Sequence, residues 1–74
     1  MAGPEDRMKY SWLKPGVHVR LWPGDTYAKY AVVREVGRYM VTFEITRVEP
    51  GETFYKPGQK ITLPWSHVSV REEK

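Results

Sequence analysis

The stretch Arg20-Leu-Trp-Pro-Gly-Asp-Thr-Tyr-Ala-Lys-Tyr30 places three rings, two cations and a Pro-Gly turn in eleven positions. Rings interleaved with cations suit single-stranded nucleic acid: bases stack on the rings while Lys and Arg follow the phosphates. Arg34 and Arg38 extend the set. The candidate nucleic-acid or partner-binding residues are therefore Arg20, Trp22, Tyr27, Lys29, Tyr30, Arg34 and Arg38. The competing use of the rings is structural, as plugs in the rim of a small barrel. Such a rim is too short to hide Trp22, Tyr27, Tyr30 and Trp65 together. The expectation is mixed: a strand-to-strand connection that leaves at least one ring and two cations available to a partner.

The rest of the chemical inventory is thin. His18 and His67 are the only histidines and there is no cysteine. Two histidines do not complete a structural zinc site, and no Asp/Glu cluster supplies the missing ligands. Ser66 precedes His67, but neighbours in a strand or turn do not point at each other as nucleophile and base must. Glu49 and Glu52 flank a turn and could bind a cation, but solvation is the simpler role. No glycine sits in a phosphate-cradling motif of the G-x-x-x-x-G-K-[ST] or G-x-G-x-x-G type. The expectation is a chain that is not an enzyme, with no catalytic residue, metal or cofactor.

Period-two patterning must position the candidates. Val17, Val19 and Leu21 alternate with His18, Arg20 and Trp22. Val41, Phe43 and Ile45 alternate with Thr42, Glu44 and Thr46. Ile61 and Leu63 share a face, as do Val68 and Val70. Each pattern predicts a half-buried strand. Tyr30 to Val36 predicts another, although Ala31, Val32 and Val33 leave its inward face ambiguous. The five strands cover about 17–22, 30–36, 39–48, 60–63 and 68–71. Gly37-Arg38 is the expected tight hairpin, and Glu49 to Gln59 a longer excursion. Leu63-Pro-Trp-Ser-His67 suits a single 3-10 turn. Four Pro-Gly pairs, at 15–16, 23–24, 50–51 and 57–58, punctuate the chain. Proline presets φ for one turn position and glycine supplies the positive φ a type II turn needs at the next. Residues 1–12 lack periodicity and read as a flexible arm with Tyr10 and Trp12 as candidate anchors. Residues 13–74 form the domain.

With 74 residues the chain is one domain at most. A core this small supports a stability of roughly 3–5 kcal/mol. No apolar run approaches the roughly 18 residues of a membrane span, and MAGPEDRMKY has no apolar core of a secretory signal. A soluble cytoplasmic protein without membrane insertion, monomeric or weakly oligomeric, is the expectation. Twelve Lys+Arg against nine Asp+Glu give +3. Residues 1–38 hold seven cations and four anions, so they carry the whole excess; residues 39–74 hold five of each. This bias fits nucleic acid, or an acidic protein surface.

Five short strands with a one-turn break before the last resemble the small barrels of the Src-homology-3-like and Sm-like class. Lys14-Pro-Gly-Val-His-Val-Arg20 and Ile61-Thr-Leu-Pro-Trp-Ser-His-Val68 carry that likeness. The fold class expected is all-β: a small five-stranded SH3-like barrel with a one-turn 3-10 break before the last strand. Val19-Arg20-Leu21, Pro23, Asp25-Thr26-Tyr27 and Val33 are similar to a narrower group, photosystem I reaction-centre subunit IV and subunit S of the photosynthetic NADH dehydrogenase-like complex. The excursion 49–59, and Ala31 in place of a glycine, depart from that group. That resemblance implies a protein-docking accessory subunit for an acidic partner such as a ferredoxin-like carrier, with Arg20, Lys29 and Arg34 facing it. The leading expectation is a non-catalytic binding module that contacts nucleic acid, DNA or RNA undecided.

Overall fold

A computed structural model of the chain describes residues 9–73. The expected arm therefore lies, for residues 1–8, outside the described residues. Five strands succeed one another: β1 (His18–Leu21), β2 (Lys29–Val36), β3 (Met40–Val48), β4 (Lys60–Pro64) and β5 (Val70–Glu72). A single 3-10 turn, Trp65–His67, separates the last two. The all-β class and the one-turn break are thus as expected. No helix among the described residues is long and apolar enough to cross a membrane.

All pairings are antiparallel, in the order β4-β3-β2-β1-β5. The five strands form one sheet around a single core, a small barrel-like fold. The β4 and β5 edges are not joined by a ladder, so the expected barrel is not closed by hydrogen bonds.

Alternation sets the core. Val19 and Leu21 of β1, Ala31 and Val33 of β2, and Val41, Phe43 and Ile45 of β3 bury one face, with Trp65, Val68 and Val70 against them. Each fully buried Val, Leu, Ile or Phe contributes about 1.5–3 kcal/mol against exposure. The ambiguous face of β2 resolves in favour of Ala31 and Val33. Val32 is also buried, but on the other side of the sheet and outside that cluster. Tyr10 joins the core, and its hydroxyl accepts a hydrogen bond from the Val70 amide at 3.4 Å.

Two bulges break the alternation. Val33 pairs with Phe43 and Glu35 with Thr42, which leaves Arg34 as an extra residue in β2. Tyr30 pairs with Arg47 and Ala31 with Ile45, which leaves Thr46 extra in β3. A bulge reverses the inward-outward parity of the residues beyond it. The β2–β3 hairpin also differs by one residue from expectation. Gly37 donates to the Met40 carbonyl at 2.8 Å, so the chain reverses at Arg38-Tyr39 rather than Gly37-Arg38.

Gly16, Gly51 and Gly58 take the positive φ expected of their Pro-Gly turns. At Pro23-Gly24 the positive φ falls instead on Trp22, at +42°. A bulky side chain there costs about 1–3 kcal/mol. The residue is held by its neighbours: its amide donates to the Ser69 carbonyl at 2.8 Å and its indole Nε1 to the His67 carbonyl at 3.2 Å.

Candidate binding face

The stretch from Arg20 to Tyr30 divides between two sides of the sheet. Parity with Ala31 and Val33 turns Lys29 inward, where it is 5% exposed. Its ammonium donates to Asp25 Oδ2 at 2.8 Å and to the Tyr27 carbonyl at 3.1 Å, and lies 3.3 Å from Glu52 Oε1. Two rings flank it, Trp22 at 5.9 Å and Tyr55 at 5.8 Å from their centroids. The rings touch each other at a tilt, with centroids 5.6 Å apart. Glu52 Oε2 accepts the amides of Phe54 at 2.7 Å and Tyr55 at 3.2 Å. Glu49 accepts the Ala28 amide at 2.8 Å through its carboxylate and donates its own amide to the Ala28 carbonyl at 2.9 Å. The excursion 49–59 is thus pinned to the 22–29 segment by a buried ion pair.

The partners set the electrostatics of the pair. Burial alone would lower the Lys29 pKa, but hydrogen bonds to Asp25 and Glu52 and their negative charges outweigh it, and the net shift is upward. For Glu52, burial pushes up; hydrogen bonds from the Phe54 amide and Lys29, with the Lys29 charge and the Tyr55 amide, pull it down further, and the net shift is downward. Both groups are charged near neutrality. Lys29 and Trp22 are committed to this latch.

Arg20 lies on the opposite, outer face. It pairs across the ladder with Tyr30 of β2 on one side and Arg71 of β5 on the other. Tyr30 in turn pairs with Arg47 of β3. One row therefore crosses four strands: Arg71, Arg20, Tyr30, Arg47. With strands about 4.8 Å apart, the row spans about 14 Å. The Arg47 guanidinium sits over the Tyr30 ring, 3.9 Å from its centroid. Arg47 also meets Glu73 Oε2 at 3.1 Å in an exposed pair. Arg20 and Arg71 have no ion pair among the described residues. Arg20 Nε is enclosed and unpaired. Like charges directly opposite in a ladder destabilise it, and an unmet buried donor costs about 1–3 kcal/mol; a bound anion would offset the charge repulsion.

A groove of about 620 Å³ opens beside the row. Arg20, Tyr30 and Arg47 of the row line it, together with Thr26, Ala28 and 48–50. Two of these lining residues, Ala28 and Glu49, are hydrogen-bonded to each other beside the latch.

The other expected residues are scattered. Tyr27 is half exposed over the Pro50-Gly51 turn; a Cβ on Gly51 would lie 2.6 Å from its ring. Arg34, on its bulge, pairs with Glu44 at 2.9 Å. Arg38 lies at the hairpin tip over the exposed ring of Tyr39. Of the seven expected residues the row unites Arg20 and Tyr30 only. Arg47 and Arg71 complete it, and Tyr55 and Glu52 complete the latch; sequence reasoning singles out none of these as binding residues. The signal for Arg71 is its parity, one residue after the inward Val70. Arg47 carries a misleading signal, because Val41, Phe43 and Ile45 place position 47 inward unless a bulge intervenes.

Among the described residues no three His, Cys, Asp or Glu side chains gather as a metal site would require. His18 and the Ser66-His67 pair are exposed. Compared with protein-family models, curated proteins and solved structures, the chain has no significant match.

Proposed function

We propose that this chain is a non-catalytic binding module of the small-barrel, Src-homology-3-like or Sm-like kind, and that it contacts nucleic acid through its outer face. The observation that carries the reading is the row Arg71, Arg20, Tyr30, Arg47 beside an open groove. Guanidinium groups match phosphate oxygens in planar, two-pronged fashion. Of the three cations a protein-docking surface would use, Lys29 and Arg34 already hold carboxylates of this chain. Both residues are thereby withdrawn from a nucleic-acid partner as much as from an acidic protein, and the reading rests on Arg20 and Arg71, which have no ion pair among the described residues.

Labelled DNA and RNA strands, titrated at about 50 mM and about 200 mM salt, test the proposal, since counterion release makes such binding weaken steeply with salt. Arg20→Ala and Arg71→Ala should each weaken binding and lower the salt slope by about 1. Absence of binding to both polymers at the lower salt refutes it. Recovery from a host extract of one stoichiometric protein, unaffected by nuclease, would favour docking instead.

A further inference from the structure

We infer that the outer face takes the sugar-phosphate backbone and leaves the bases unread, an inference that rests on the nucleic-acid reading above. Base recognition by stacking needs an open ring face. The row holds one ring, Tyr30, and an arginine takes a face of it. Tyr30 is covered by the Arg47 guanidinium at 3.9 Å and has Arg20 at its paired position on the other side. Of the other two rings expected to stack, Trp22 packs on Tyr55 with its indole N–H spent on the His67 carbonyl and Lys29 at its ring, and Tyr27, though half exposed, lies off the row with its ring against the Pro50-Gly51 turn. The row itself thus has no ring without an arginine beside it, and Trp22 and Tyr27 lie outside the row.

What the row does present is guanidinium. Three arginines lie along one line across the strands, and Arg20 and Arg71 have no carboxylate partner among the described residues. Tyr30 then has a different job from stacking a base. It holds Arg47 flat, which fixes the orientation of that planar fork before a ligand arrives. Such contacts position a nucleic acid but carry no sequence information. The class of ligand is therefore any accessible run of nucleic-acid phosphates, with affinity indifferent to base identity.

The test compares the wild-type protein on two labelled strands of equal length, roughly 12 nucleotides, one of mixed sequence and one fully abasic. Fluorescence anisotropy in low salt reads both. Loss of even one stacked base weakens binding about fivefold or more. The expected result is that the abasic strand binds within fivefold of the normal strand. A larger loss on the abasic strand overturns the inference while leaving nucleic-acid binding standing. Failure to bind either strand overturns both.

Discussion

Removing Trp65 should unfold the domain. Its ring is 3% exposed and belongs to the core. Truncating a buried Trp to Ala costs roughly 3–5 kcal/mol. Trp65 also ties the hairpin: its Nε1 donates to the Gly37 carbonyl and its amide to the Tyr39 carbonyl, both at 3.2 Å. Losing the indole bond adds about 1 kcal/mol. The total meets or exceeds the roughly 3–5 kcal/mol that a core of this size supplies. Trp65→Ala is therefore expected to be largely unfolded at room temperature. Trp65→Phe keeps a ring and loses the bond, about 1–2 kcal/mol, so it should fold with a melting temperature about 4–16 °C lower. Trp22→Ala removes a partly exposed ring from the latch and should fold, with a lower melting temperature than the parent. Far-UV circular dichroism melts on the three variants, with an amide NMR spectrum of each, read the outcome. If Trp65→Ala melts within a few degrees of the parent while Trp22→Ala unfolds, Trp65 does not close the core and the assignment of that end is wrong.

Three further outcomes are expected. Gly51→Ala should destabilise the domain by about 1–3 kcal/mol from its φ of +105° alone, with the 2.6 Å approach to Tyr27 added; in a Tyr27→Ala background only the backbone part should remain, and an unchanged urea midpoint would refute the geometry. Stability should fall at both ends of the pH scale. Glu52, with its pKa depressed, contributes stability above its ordinary value of about 4.3 that is lost as pH drops through the folded value. Lys29, raised, contributes stability below its ordinary value of about 10.4 that is lost as pH climbs through the folded value. Urea midpoints across that range should show Glu52→Gln flattening the acid limb and Lys29→Met the alkaline one; variants with the parent's limbs would exclude the latch as their source. Glu73→Gln frees Arg47 from an exposed pair, and since such pairs are worth about 0–1 kcal/mol, nucleic-acid affinity should rise by up to about fivefold in low salt; equal or weaker anisotropy-measured binding would show that Arg47 is not a contact.

Period-two alternation made the fold legible because each strand buries one face against a single core. Val19 and Leu21, and Val41, Phe43 and Ile45, point where their spacing says. The bounds shift by one or two residues, as at β5, where the ladder begins at Val70 and not at the equally buried Val68. Trp22 shows where alternation stops being informative. It continues the polar side of β1 in sequence, but the strand ends at Leu21, and a positive φ turns the ring onto Tyr55. Nothing local announces that conformation, which is imposed by partners some 33 to 47 positions away, Tyr55, His67 and Ser69.

The binding face was half legible for a related reason. Charge counted along the chain placed the basic excess in residues 1–38, yet two of the three arginines in the row, Arg47 and Arg71, come from the neutral half. Pairing across strands, not position in the chain, decides which charges meet. Arg47 reaches the outer face only because Thr46 is extra in β3. Lys29 is the converse case. A lysine between two tyrosines reads as a surface cation, but its parity with Ala31 and Val33 carries it inward, where it is stable because Asp25 and Glu52 accompany it. Burying an ammonium without such partners would cost several kcal/mol. The excursion that looked like an insertion thus supplies the carboxylate that makes Lys29 tolerable. The same excursion holds Glu49 against Ala28, two of the residues that line the groove beside the arginine row.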